Sequence, residues 1–470
     1  MRINRQQRAH GRALLIPALF MLALLAPTAA VGEGERTWTQ PRLVAQSEDD
    51  WCNMALDCDS ESNTHLVCSD QDRVYYLKLS TTGLWLVLPV SVAGQGENCR
   101  YPSLALDSQD NVHVVWSDER SGQTEVYYSK LSFEGELLVK AKLVSDEVET
   151  RSYHPDVAVD LNDNVHVSWQ VEKYRGLGIN LIYQDIYYQK LDNNGEKLGQ
   201  TKQITSSDSL TELPQRSQAL VATDSLGNAV LSWLDTRDET LWEDNNYTEF
   251  EIYFCKLDRD GEFLIGETRL TNNDYDYIFQ DMCVDSQDRV HITARADDTD
   301  ETYTGYLYYL MLGELGNILV ETDELSDVRD RSYAPAITLL NGDCPVLFYF
   351  DYIEGNVTFY YSTLDSQGRQ LVRDSPLWTV PDDGDTQDIY GASNGRELFV
   401  VCSVSETFDD EKEETRGYFM TDHQEAPVVE VARETDDGLE IPLLEPVYLV
   451  LTLVLITVGR ESVKKLRKRR

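Results

Sequence analysis

Short apolar runs recur from Arg42 to Met420, each four to eight residues long and each bounded by Gly, Asn, Asp or Ser. That pattern reads as β-strands joined by tight turns, and no long helical periodicity separates them. Seven aromatic pairs mark the register: Tyr75-Tyr76, Tyr127-Tyr128, Tyr187-Tyr188, Tyr253-Phe254, Tyr308-Tyr309, Tyr360-Tyr361 and Tyr418-Phe419. Their spacing varies only between 52 and 66 residues. In six repeats a Leu follows four residues after the first aromatic, from Leu79 to Leu364, and a Gly stands four residues beyond it, from Gly83 to Gly368. Turn formers fill the interval, as in Asp192-Asn193-Asn194-Gly195, so each pair sits on a strand that enters a hairpin with φ > 0 at the Gly.

A second hairpin precedes each pair. Asp107-Ser108-Gln109-Asp110-Asn111 leads into Val112-His113-Val114-Val115-Trp116, with copies ending at Trp169, Trp233 and Ala294. Aligned on the Trp, the repeats give a column of Cys68, Trp116, Trp169, Trp233, Ala294, Tyr349 and Cys402, which should face a neighbouring repeat. Each unit therefore holds four short strands, the signature of a propeller blade. We expect an all-β fold, a seven-bladed β-propeller of four-stranded blades over residues 31–432. The seventh repeat lacks the usual Gly turn, whereas Arg42-Leu43-Val44-Ala45 has an outer-strand pattern ahead of the first repeat. The N-terminal strand should close the ring and leave no free edge, with 428–431 as its competitor for that place.

Charge separates this middle from its ends. The chain of 470 residues carries −41, but residues 31–440 carry −50 and the two ends are basic. A field of that sign repels phosphate and argues against nucleic-acid binding. Arg2, Arg5, Arg8 and Arg12 precede an apolar run and the small residues Thr28-Ala29-Ala30, the layout of a signal peptide over 1–30. Residues 441–459 form an apolar stretch long enough for a transmembrane helix, followed by a basic tail over 460–470 that the positive-inside rule keeps in the cytoplasm. The expectation is a cell-surface, single-pass membrane protein with an extracellular propeller, joined to its helix by an acidic linker, 433–440. A sorting tail removed after export is the alternative reading of that end. All eight cysteines fall in the exported part, where disulfides persist, and four lie within residues 52–99, so a local staple is expected there. Cys68 and Cys402 lie instead in the apolar column and read as small hydrophobes.

The run Trp116-Ser117-Asp118-Glu119-Arg120-Ser121-Gly122, followed by Glu125-Val126-Tyr127-Tyr128, resembles the repeats of sialidase-like (BNR-type) β-propeller surface proteins of prokaryotes. The resemblance covers nearly the whole exported region. It implies a binding or surface protein, because the third-to-outer turns, such as Ser132-Phe133-Glu134-Gly135, lack the Trp of the sialidase box. Arg100-Tyr101-Pro102 is similar to the Arg-Ile-Pro segment of sialidases, whose arginine cluster at the channel mouth holds a carboxylate.

Arginines recur just before the inner strand: Arg100, Arg151, Arg216 and Arg331, with Phe279 near that place in blade five. Convergent guanidinium groups can bind a carboxylate through paired hydrogen bonds. The competing reading pairs each Arg with a nearby acid such as Asp118 or Asp235. His65, His113, His166 and His291 share one register, which a repeat position explains better than a metal site. Acid-rich loops such as Asp382-Asp383-Gly384-Asp385 have the chemistry for calcium, yet none has a recognised calcium-loop spacing, so no cofactor or metal is expected. Asn246-Tyr247-Thr248 and Asn356-Val357-Thr358 are glycosylation sequons. The longest insertions, 173–184 and 236–250, carry Tyr174, Trp242 and Tyr247, aromatic side chains suited to stacking on sugars, and both loops should share one face. The expectation is a non-catalytic binding module for a glycan, protein or envelope component. The alternatives are a structural envelope repeat protein and an exo-acting glycoside hydrolase using the four arginines.

Overall fold

The computed structural model describes residues 36–47 and 53–423, apart from 71, 95, 146–149, 177–179, 207–214, 238–248, 299–304, 324, 327–332, 354–355, 381–384 and 409–411. Among the described residues there are 28 strands in seven four-stranded antiparallel sheets. The expected signal peptide and transmembrane helix lie outside the described residues. No helix among those described is long and apolar enough to cross a membrane.

Six blades use four consecutive strands; blade two, for example, runs Arg100–Leu106, Val112–Asp118, Glu125–Leu131 and Leu137–Leu143. Blade seven takes its outer strand from the N-terminus, where Arg42–Ser47 pairs antiparallel with Lys412–Thr421. The rival segment, 428–431, lies outside the described residues.

Seven apolar clusters fill the seven blade-to-blade interfaces, and the last joins Val44, Phe399 and Val401 of blade seven to Leu66 and Leu77 of blade one. A blade sandwiched in this way is covered on both faces. Val112–Asp118 is accordingly buried at every position, which accounts for runs that are continuously apolar rather than alternating. Each member of the Trp column pairs with the first aromatic of its repeat: Cys68 with Tyr75, Trp116 with Tyr127, Trp169 with Tyr187, Trp233 with Tyr253, Ala294 with Tyr308, Tyr349 with Tyr360 and Cys402 with Tyr418. All seven column residues are buried.

At the hairpin end of the ring the histidines meet a repeated polar network. In blade two, Asp107 Oδ1 accepts from the backbone N–H of Gln109 and Asn111, both at 2.9 Å. Asp107 Oδ2 lies 3.3 Å from His113 Nε2 and 2.9 Å from Lys130 Nζ, and His113 Nδ1 lies 2.8 Å from the Tyr128 hydroxyl. The same Asp–His–Tyr chain recurs as Asp59–His65–Tyr76, Asp160–His166–Tyr188 and Asp285–His291–Tyr309. Blade four has Val230 and Phe254 at the His and Tyr positions, and blade seven has Phe399 and Phe419. Blades four and seven lose imidazole and hydroxyl together, whereas blade six has Val346 at the His position and keeps the Tyr361 hydroxyl, which accepts instead from the Arg36 backbone N–H at 2.7 Å.

The cysteine staple is a correction: Cys58, Cys68, Cys99, Cys255, Cys283, Cys344 and Cys402 are all free thiols, and Cys52 lies outside the described residues. The reason is placement. Cys68 faces the interface with blade seven, whereas Cys99 faces that with blade two. Cys99 donates its S–H to Asp118 Oδ2 at 3.2 Å.

Candidate functional site

The opposite end of the ring carries the channel mouth. There the inner strands of blades two to six share a β-bulge. In blade two the pairing runs Arg100 to Ser117 and then Ser103 to Val115, so Tyr101 and Pro102 together oppose the single residue Trp116. The same two-against-one step faces Trp169, Trp233, Ala294 and Tyr349. The first bulge residue is in the left-handed region every time: Tyr101 at φ 51°, His154 at 47°, Gln218 at 51°, Phe279 at 52° and Ala334 at 39°. None is glycine, so each costs about 1–2 kcal/mol of backbone strain. The second bulge residue (Pro102, Pro155, Ala219, Gln280 or Pro335) is buried, while the first stays accessible. The bulge thus aims one side chain per blade at the mouth.

Between blades two and three this builds a cavity of about 390 Å³, at the lower end of the usual size for a small-ligand pocket. Arg100, Tyr101, Arg151, Tyr153 and His154 line it, with Ser117, Glu119, Gln170 and Gln184 among the others. The Tyr101 and His154 rings stack at 3.7 Å between centroids. Burial draws the His154 imidazole down to about 4, so it is neutral at neutral pH. Burial, with the Glu172 carboxylate beside it, pushes the Tyr153 phenol well above its ordinary value. Arg100 is exposed and its Nε donates to Asn98 Oδ1 at 2.9 Å. The Arg151 side chain is 54% exposed and its Nη1 lies 3.9 Å from Glu172 Oε1, a loose pair.

Two polar atoms of the lining are buried without a hydrogen-bond partner among the described residues: Ser117 Oγ and Gln170 Oε1. Buried polar groups in folded proteins almost always find a partner. Blade three also departs from a corner motif that its neighbours share. In blade two, Trp116 Nε1 donates to Asp118 Oδ2 at 3.0 Å and Arg120 closes on the same carboxylate. Blade four repeats this with Trp233, Asp235 and Arg237. Blade three has Val171 where those blades have the Asp, and Trp169 Nε1 likewise has no partner among the described residues.

The arginines divide by register. Arg100 and Arg151 both reach the cavity. Arg216 is 1% exposed: its Nε donates to Asp235 Oδ2 at 2.8 Å and its Nη1 to Asp185 Oδ1 at 2.6 Å. Counted back from the bulge, Arg151 stands two residues before Tyr153, the counterpart of Arg100, whereas Arg216 stands one residue before its own counterpart, Ser217. One residue of offset turns a strand side chain to the other face, here into the blade. Arg331, Trp242 and Tyr247 lie outside the described residues. Tyr174 falls in the strand Val165–Gly176, paired with Ile182, and its side chain is not described. Both insertions connect a second strand to a third, so both arise at the mouth end of the ring. The bulge was not read from the sequence, although Tyr101-Pro102, His154-Pro155 and Ala334-Pro335 signal it, because proline inside a strand is tolerated at a bulge.

No family model matches the sequence, and no curated protein matches it. Among solved structures the chain is similar to a family PL25 ulvan lyase bound to -[GlcA(1-4)Rha3S]-, with a TM-score of 0.55 and 12% identity over 78% of this chain and 91% of that one. It is also similar to an α-L-arabinanase of Penicillium chrysogenum (TM-score 0.45, 11% identity, 68% and 92% covered). A Trypanosoma rangeli sialidase gives a TM-score of 0.41 at 10% identity, with 72% and 56% covered. At 12% identity the likeness to the ulvan lyase is one of fold alone.

Proposed function

We propose that the protein is a carbohydrate-binding propeller whose cavity between blades two and three takes an acidic sugar, and that the expected helix at 441–459 holds it at the cell surface. One observation carries this reading: the exposed Arg100 and Arg151 line one cavity together with Ser117 and Gln170, whose buried Oγ and Oε1 have no hydrogen-bond partner among the described residues. Arg100 and Arg151 supply positive charge for a carboxylate in a chain that is otherwise strongly acidic. Gln170 and Ser117 add an amide and a hydroxyl to the lining, groups whose chemistry matches sugar hydroxyls. The stacked Tyr101–His154 pair offers an aromatic wall. The ulvan lyase bound to -[GlcA(1-4)Rha3S]- is an example of an acidic glycan held by a protein of similar fold.

The test is calorimetric titration of the protein with oligogalacturonates. Arg151→Ala should weaken binding by roughly tenfold or more, the value of a charged hydrogen bond, and leave stability unchanged. Arg216→Ala should do the reverse, destabilising the ring while the folded fraction binds as before. Equal binding by wild type and Arg151→Ala would overturn the proposal.

A second reading, chemistry on the bound glycan, has one observation in its favour. His154 lies in the cavity and is unprotonated at neutral pH, the form that a general base requires. Release of shortened products from the same oligosaccharides, lost in His154→Ala, is the result that reading requires.

A further inference from the structure

The bulge ring continues past the cavity. Tyr101 and His154 line it, and the next first-bulge residues around the ring are Gln218 and Phe279. The inner strands of blades two to five are consecutive neighbours, so these four residues form one arc along the channel mouth. Phe279 is 37% exposed, an unusual state for a phenylalanine in an inner strand. Its base is rigid. The backbone N–H of the next residue, Gln280, donates to Gln218 Oε1 at 2.9 Å, and Gln280 Nε2 donates to the Gln218 carbonyl at 2.8 Å. Ser232 Oγ closes the set by donating to Gln280 Oε1 at 2.8 Å. These bonds tie blade four to blade five beneath the ring and also fix the Gln218 side chain beside it.

An accessible aromatic ring held at φ 52° on a fully bonded base has the form of a stacking platform. The apolar face of a pyranose covers such a ring well, and an aromatic with few rotamers loses little entropy in doing so. We infer that Phe279 is a second, aromatic subsite of the same binding surface, so that the ligand is an oligosaccharide chain laid along the arc rather than a single terminal sugar. Its acidic unit sits at Arg100 and Arg151, Gln218 meets hydroxyls on the way, and a later sugar stacks on Phe279. The inference rests on the glycan reading of the cavity.

Chain length is the readout that separates the two claims. Full-length protein is titrated with a ladder of oligogalacturonates from the disaccharide to the octasaccharide, as wild type, Phe279→Ala, Phe279→Trp and Arg151→Ala. Wild type should bind the longer members more tightly. Phe279→Ala should lose about two- to tenfold in affinity for long members and nothing for the disaccharide. Phe279→Trp should keep the length dependence, and Arg151→Ala should weaken every member. Length-independent binding, or an unchanged length dependence in Phe279→Ala while Arg151→Ala still weakens all members, overturns the subsite and leaves the cavity assignment standing. Absence of binding by wild type at every length overturns both.

Discussion

The two ends of this ring use left-handed backbone in opposite ways. At the hairpin end the positive-φ positions belong to residues that tolerate them: Gly83, Gly135, Gly195 and Gly261 in one set of turns, Asp110, Asp163 and Asp288 in the other. Gly135 could be nothing else, since a Cβ there would lie 2.8 Å from Val87 Cγ1. At the mouth end the same region holds Tyr101, His154, Gln218 and Phe279. Asp107, His113, Tyr128 and Lys130 satisfy one another at the hairpin end, while buried polar atoms without partners among the described residues occur at both ends, Thr64 Oγ1 at the hairpins and Ser117 Oγ and Gln170 Oε1 at the mouth. The lesson concerns the backbone: one end gives its left-handed positions to glycine and aspartate, and the other spends strain on side chains turned toward the mouth.

The hardest blow to that contrast is Asp107→Ala. It leaves Lys130 and His113 buried without their carboxylate, and should cost roughly 3–5 kcal/mol in urea denaturation while glycan affinity of the folded protein is unchanged. A small loss would mean that the hairpin-end network contributes little.

A smaller effect sharpens the contrast through pH. Asp281, on the inner strand just inside the mouth, accepts from the Ile337 N–H at 2.8 Å. Burial nevertheless pushes its carboxyl up from 3.8 to about 6. A raised native value stabilises the fold below about pH 4 and loses that stabilisation as pH rises through about 6. Asp281→Asn should therefore exceed wild type by about 1–2 kcal/mol at neutral pH, with the gap closing on acidification. The hairpin-end Asp285 has the opposite sign. Its contacts with His291 and Arg289 outweigh burial and hold it at about 2, so its contribution is lost as pH falls. Melting curves that show the same pH trend for Asp281→Asn and Asp285→Asn would contradict this pairing.

The mildest change is Ala334→Gly. Relief of the left-handed strain, offset by glycine's greater freedom in the unfolded chain, predicts a gain of about 0.5 kcal/mol. Gly135→Ala at the other end should lose more than that. A loss in both variants would show that the bulge carries no strain.

Much of the fold was legible in the chain because each blade repeats the same short-range chemistry. The Trp column, the aromatic pairs and the Gly turns sit at fixed offsets from one another, so register followed from spacing alone. The orphan outer strand at Arg42 and the missing turn of the seventh repeat pointed to each other. The candidate site was legible only in part. Arg100, Arg151 and Arg216 look equivalent in sequence, yet a one-residue offset from the shared bulge places Arg216 on the opposite face from Arg151. Phe279 reads as the place of a missing Arg, but its backbone position is that of Tyr101 and His154.

The number of blades, the residues that fill the spaces between them and the segment that closes the ring were all written into the linear chain. Those outcomes depend on period and apolar content, which a string of residues records. Which polar side chains share a cavity, which arginines reach it and which atoms are left without partners emerged only once the blades were packed side by side. Those depend on what lies across a blade interface, and a one-residue offset along a strand reverses the face a side chain presents.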